Sequence, residues 1–279
     1  MSAENRLLNH FLLFLVLLIS ISCKSSKYAK TNKVYKNLAK GYAEIIRAAP
    51  PNHQAIDSMS TENQSWVGSV NFGIRRANFV ILHHTAQDST AQTLQTFTIP
   101  RTQVSAHYVV GRDGKVIQMV NDYLRAQHAG ESRWGKNTDL NSSSLGIELD
   151  NNGNEPYSDQ QMNSLYILLA NLKKKYGIPT ANFIGHADIA PARKPDPNNF
   201  PWKNLAEKGY GLWYDDSLET APMDLDSTIA LRIIGYDVRN IDAAIVAFKR
   251  HFIQTDITPI LTAWDKSVLN NLYRKYLKD

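Results

Sequence analysis

The sequence predicts an α/β protein, a central β-sheet flanked by helices and followed by a small C-terminal three-helix domain. Three observations carry that expectation. Strand-length apolar runs recur at residues 78–82, 145–149 and 182–184, and runs of that length between turn residues read as buried strands. Between the second and third lies a helical pattern with Met162, Leu165, Leu168, Leu169 and Leu172 on one face. Beyond residue 226, three short helical patterns follow in about fifty residues.

The chain has 279 residues, room for one large domain or a medium one with a small companion. Residues 1–21 place Arg6 ahead of an apolar run over residues 11–21, followed by Ser22-Cys23, the plan of a secretory signal. The run is too short to cross a bilayer, which takes about 20 residues. Cys23 is the single cysteine, so the chain can form no internal disulfide and export carries no redox cost. The formal charge of +5 is concentrated at this end, where residues 1–40 hold seven Lys or Arg against Glu4 alone. The remainder is close to neutral, which argues against nucleic acid as a partner, because that requires a basic patch on the folded domain.

Residues 24–60 form the expected basic tether, with lysines at 24, 27, 30, 33 and 36. Such a segment is favourably placed beside an anionic membrane face. Within it, Val34, Leu38, Ile45 and Ile46 fall at rough helical spacing and suggest a short helix over residues 34–48, ended by Pro50-Pro51. Residues 52–75 are polar and turn-rich, and no role is assigned to them.

Residues 61–214 are expected to form the main domain. In its first strand, alternation sends His83 and His84 to opposite faces, so only one of them can serve a given metal site. Ser89 or Thr90 caps a short helix over residues 91–98. Residues 105–118 read as a hairpin around Asp113-Gly114, and residues 126–134 as a polar loop with one tryptophan. In the strand over residues 145–149, Ile147 and Leu149 take the core face while Gly146 and Glu148 take the other. A carboxylate there is costly unless it is paired or employed. Ser158-Asp159-Gln160-Gln161 has the capping-box pattern and Tyr176-Gly177 stops the long helix.

The last strand ends at Gly185 and delivers His186, followed by a proline-stiffened loop carrying Lys194 and Asp196. Imidazole and carboxylate are both zinc ligands, and a hydrolytic zinc needs a third ligand, which His83 can supply, with one position left open. Pro195 and Pro197 restrict the backbone around Asp196. Asp188 is a rival ligand. An acidic, turn-rich linker over residues 215–226 leads to residues 229–234, 243–252 and a capping-box start at Thr262-Ala263-Trp264-Asp265, the three short helices of the domain expected over residues 215–279.

Three motifs in order, Ile81-Leu82-His83-His84-Thr85-Ala86, Ser144-Leu145-Gly146-Ile147-Glu148-Leu149 and the stretch from Phe183 through His186 to Pro197, resemble the zinc-dependent N-acetylmuramoyl-L-alanine amidases of the type 2 family, relatives of peptidoglycan recognition proteins and phage amidases. The resemblance runs over about residues 78–202. It implies that the sheet is mixed, that Zn2+ is held by His83, His186 and Asp196, that Glu148 activates water, and that Lys194 stabilises the oxyanion. His84 is then a packed or hydrogen-bonded histidine, and Asp188 a supporting or capping residue. Several relatives carry a tyrosine where this chain has Ala106, which leaves His107 as the nearest polar candidate for lining the cleft, against the alternative of a histidine on a sheet face. Residues 126–134 resemble the family's substrate-facing segment, so His128 and Trp134 are candidate substrate contacts, although a loop tryptophan commonly covers the core.

The implied substrate is the amide between N-acetylmuramic acid and L-alanine in peptidoglycan or muropeptides. A non-catalytic peptidoglycan-recognition or tethering lipoprotein is the alternative. Cys23 resembles the lipid-acceptor cysteine of bacterial lipoproteins, against an uncleaved signal anchor, and residues 215–279 resemble a peptidoglycan-binding module. The expectation is a monomer in the cell envelope, lipid-anchored at the outer membrane and facing the periplasm.

Overall fold

The computed structural model describes residues 27–47, 69, 71, 74 and 76–278. Cys23 and the expected signal segment lie outside them. The chain divides into two units, residues 1–72 and 73–279. In the first, α1 spans Ala29–Arg47 and buries none of its residues. It starts ahead of the expected residue 34, inside the lysine-rich stretch read as tether. Ala29, Lys30, Lys33 and Lys36 are good helix formers, and three-residue lysine spacing does not prevent a helix. Among the described residues no helix is long and apolar enough to cross a membrane.

The second unit is built on a five-stranded sheet. Its strands are β1 (Phe79–His84), β2 (Tyr108–Val110), β3 (Val116–Gln118), β4 (Ser144–Leu149) and β5 (Phe183–Gly185), in the order β3-β2-β4-β1-β5. Only β2 and β3 pair antiparallel, as the hairpin around Asp113-Gly114, while β4, β1 and β5 run parallel, as does the β2–β4 pair. The sheet is therefore mixed, as expected.

Helix α2 (Thr90–Thr96) takes its cap from the Ser89 side chain, and α3 is a single turn, Leu140–Ser143. Helix α4 (Asp159–Tyr176) begins where Ser158 accepts the Gln161 N–H and ends at Gly177 in the left-handed region, φ 65°. It lays Met162, Leu165, Leu169 and Leu172 on the sheet face formed by Val80, Leu82, Leu145, Ile147 and Leu149. Each such side chain contributes about 1.5–3 kcal/mol on full burial.

The opposite face is covered from the C-terminal end of the chain. Beyond α5 (His186–Ile189) and α6 (Trp202–Glu207) come α7 (Ser227–Ile234), α8 (Ile241–Phe252) and α9 (Ala263–Tyr276). Leu231, Ile234, Phe248 and Leu269 of these helices share one apolar cluster with Ile81 and Ile184 of the sheet. The fully buried Lys249 ammonium is neutralised and hydrogen-bonded by Asp256, Asp265 and the Ile260 carbonyl, which fastens the turn between α8 and α9 and meets the requirement that a buried charge be paired.

Candidate functional site

The parallel strands place the site at their carboxyl ends, where open α/β sheets bind ligands. His83, the fifth residue of β1, pairs in register with Glu148 of β4, so the two side chains stand side by side on one sheet face. Next to β1, β5 ends at Gly185 and α5 starts with His186. The loop that follows returns so that the Ala187 N–H donates to the Asp196 carbonyl at 2.7 Å, which clasps Asp196 against His186. The Asp196–Pro197 peptide is cis.

His83 Nδ1, His186 Nδ1 and Asp196 Oδ2 converge at separations of 2.9, 3.0 and 3.2 Å, all three residues buried. Donors around a tetrahedral zinc with bonds near 2.0 Å are about 3.3 Å apart, so the triangle fits a small divalent cation. Its chemistry fits as well, two imidazole nitrogens and one carboxylate oxygen. Burial, reinforced by the neighbouring His186, pushes the His83 imidazolium down to about 4. Burial alone would raise the Asp196 carboxyl, but its close contacts with the His186 and His83 rings outweigh it and hold the group well below the usual carboxylate range.

Glu148 stands apart from the triangle. Its Oε2 is sealed from solvent and has no hydrogen-bond partner. Burial, assisted by the Asp196 charge and opposed by Lys194, pushes its carboxyl up to about 8. A carboxyl tuned toward neutral pH in a cleft is suited to proton transfer. Lys194 is half-buried, forms no ion pair among the described residues, and has its charge felt at both Glu148 and His83.

His84, on the other face of β1, is not part of this cluster. Its Nδ1 accepts the Asn198 N–H at 3.0 Å and its ring lies where a side chain at Gly153 would be. Asp188 is a brace. Its buried carboxylate caps α5 by accepting the Gly185 N–H at 2.7 Å, and it also binds the Tyr236 hydroxyl and His251 Nδ1, each at 2.8 Å. Trp202 stacks on His251 at 3.9 Å. Arg193 donates to the carbonyls of Ala129 and Glu131.

The three expected substrate contacts are all buried. His107 is buried, with Nδ1 accepting the Gly146 N–H and Nε2 donating to the Leu124 carbonyl, both at 3.0 Å. With both ring nitrogens engaged, it has none for a ligand, and the sheet-face alternative describes it. Trp134 is 7% exposed and packs edge-on against Tyr236, covering the core rather than presenting a sugar platform. His128 is 8% exposed and lies behind His83, with its Nδ1 3.0 Å from His83 Nε2.

A methyl group at Gly235 would sit 2.4 Å from the Trp134 ring, and Gly235 has φ 133°. Gly235→Ala is therefore expected to lower stability by about 1–3 kcal/mol, visible as a fall in Tm without loss of metal stoichiometry. Sequence reasoning missed the Tyr236 and His251 contacts to Asp188 altogether. The one local signal was an aspartate at the third position of a helix opening at Gly185.

Three buried donors that could hold a cation, beside an unpartnered carboxylate at the strand ends of a mixed sheet, are the parts that a metal-dependent hydrolase uses. Residues 73–199 match the N-acetylmuramoyl-L-alanine amidase domain. The chain is 33% identical over 237 residues to the N-acetylmuramoyl-L-alanine amidase AmiD of Escherichia coli, covering 73% of this chain and 85% of that protein. The structure of that amidase with the substrate anhydro-N-acetylmuramic acid-L-Ala-D-gamma-Glu-L-Lys superimposes with a TM-score of 0.66 at 31% identity, covering 76% of this chain and 94% of the other. AMPDH3 from Pseudomonas aeruginosa, solved with an anhydromuramic pentapeptide, gives a TM-score of 0.66 at 29% identity over 78% and 99% of the two chains. The chain belongs to the N-acetylmuramoyl-L-alanine amidase family, enzymes that hydrolyse the amide joining N-acetylmuramic acid to L-alanine.

Proposed function

We propose that this chain carries out that hydrolysis on peptidoglycan or its muropeptides, with His83, His186 and Asp196 holding a zinc ion, Glu148 moving the proton and Lys194 stabilising the oxyanion. The supporting observation is the convergence of three buried donors beside Glu148 Oε2, an oxygen that no other group in the described residues employs. When bound, zinc polarises the scissile carbonyl and lowers the pKa of water toward about 7. Glu148 takes the proton of the attacking water on its free oxygen and delivers it to the departing L-alanine nitrogen, a base that becomes an acid. Lys194 sets its charge against the negative charge that develops on the carbonyl oxygen. Lys194→Ala is expected to lower kcat by about 100- to 1000-fold, the loss typical of one oxyanion donor, with KM changed far less.

Complexes of two relatives with anhydromuramoyl peptides support muropeptides as substrates. The proposal extends to a lipid anchor at Cys23, in an outer membrane protein facing the periplasm, and to a monomer whose residues 215–279 contact peptidoglycan. The test is incubation of the purified protein with peptidoglycan and with a defined anhydromuropeptide, with and without chelator. Release of stem peptides bearing a free L-alanine amine, abolished by chelator, is the expected result. Unchanged material in both arms would favour a peptidoglycan-recognition protein that binds without cutting.

A further inference from the structure

We propose that the dipeptide His128-Ala129 decides which ring nitrogen each ligand histidine turns to the metal, which makes His128 and its anchor Asn141 positioning residues of the site. The proposal rests on the zinc reading above. The chain of hydrogen bonds begins at the Leu140 carbonyl, which can only accept. Ser144 Oγ lies in hydrogen-bond contact with it, so the single hydroxyl hydrogen of Ser144 points there and its oxygen is left to accept. The group facing that oxygen is His128 Nε2, at 3.2 Å, which must carry the hydrogen. His128 is buried and neither of its ring nitrogens meets a carboxylate that could balance a charge, so the ring carries one hydrogen and its other nitrogen, Nδ1, is bare.

His128 Nδ1 lies 3.0 Å from His83 Nε2. A bare nitrogen there requires His83 Nε2 to donate, which leaves Nδ1 as the one nitrogen His83 can offer to the triangle. The next residue does the same for the other ligand. The Ala129 carbonyl is 3.2 Å from His186 Nε2, and Arg193 Nη2, 3.4 Å from the same nitrogen, spends its two hydrogens on the Ala129 and Glu131 carbonyls; since a carbonyl only accepts, His186 also carries its hydrogen on Nε2 and presents a bare Nδ1. The two bare nitrogens face each other at 2.9 Å with a carboxylate oxygen beside them. Three lone pairs that close repel unless a cation lies among them, so the surrounding hydrogen bonds prepare the site for a cation before it arrives.

The dipeptide is itself held. Asn141 Oδ1 accepts the N–H groups of both His128 and Ala129, at 2.9 and 2.8 Å, and Arg193 donates to the Ala129 carbonyl at 2.8 Å. Gly146 provides the space, because a side-chain carbon there would lie 2.3 Å from the His128 ring. Partners that fix the orientation and tautomer of ligand histidines are worth about 10- to 100-fold in metal affinity.

The experiment measures zinc dissociation constants of the full chain by competition with a chromophoric chelator. It is paired with 15N spectra of the histidine rings in the metal-free wild type near pH 7.5. The spectra should show His83 and His186 as Nε2–H tautomers. His128→Ala should weaken zinc binding about 10- to 100-fold. His128→Asn, whose Oδ1 can accept from His83 in place of Nδ1, should recover most of it. Thermal melts separate this from a folding defect, since a purely structural role would lower Tm and leave affinity in the folded protein unchanged. Zinc binding by His128→Ala as tight as wild type, or Nδ1–H tautomers on the wild-type ligands, would overturn the proposal. Failure of the wild type to bind zinc would instead overturn the zinc reading itself. The wild-type spectra decide the matter even if His128→Ala does not fold.

Discussion

Glu148→Gln is expected to lower kcat by about 100- to 10,000-fold, the range for loss of a positioned proton carrier, while zinc stoichiometry and KM stay near wild type. A glutamine keeps the shape of the side chain but neither takes nor gives the proton. The same substitution has a second, opposite effect on stability. In the metal-free protein the Glu148 carboxyl titrates at about 8, raised from an ordinary 4.5 by burial, so between those values the folded chain keeps a proton that the unfolded chain releases. Its contribution to stability is thus most favourable below about pH 4.5 and declines as pH rises toward 8, after which it is level. At the upper end the burden is on the order of 5 kcal/mol. Melts of the two metal-free proteins should therefore diverge as pH rises from 5 to 8, with the glutamine form the more stable. Parallel curves would mean that the carboxyl is not held protonated. Zinc, by adding positive charge close to Glu148, should reduce the divergence.

The second large effect concerns the two adjacent histidines. His83→Ala removes one corner of the triangle and is expected to abolish zinc binding and activity together, because two remaining protein donors do not make a catalytic zinc site. His84→Ala should keep full zinc stoichiometry and lose about 1–2 kcal/mol of stability, from the Asn198 N–H left without its acceptor. Metal analysis of the two purified variants distinguishes them, and the opposite pattern would relocate the site to the other face of β1.

The features that depend on short-range periodicity were legible in the sequence. Alternation put His83 and His84 on opposite faces and Gly146 and Glu148 away from Ile147 and Leu149, and the parallel register confirms both. The Ser158 cap, the Gly177 stop and the Thr262 capping box are written in a few neighbouring residues and appear where expected. What stayed hidden depends on partners far along the chain. Trp134 is drawn into the core by a gap at Gly235, a hundred residues on, and nothing around position 134 announces that gap. His107 in its hairpin and His128 in the segment that resembles a substrate-facing surface are polar residues, yet their ring nitrogens are taken by a backbone amide, a backbone carbonyl, the Ser144 hydroxyl and His83. Alternation can say which side of a sheet a histidine occupies; it cannot say whether its nitrogens are already engaged.

Asp188 lies two residues beyond His186 and is gripped by Tyr236 and by His251 of α8, so stiffness passes from the terminal helices directly into the hydrolytic centre. Residues 227–276 act as a buttress. Heat or denaturant that loosens the buttress also slackens the footing of His186, so inactivation and unfolding are expected to share one midpoint.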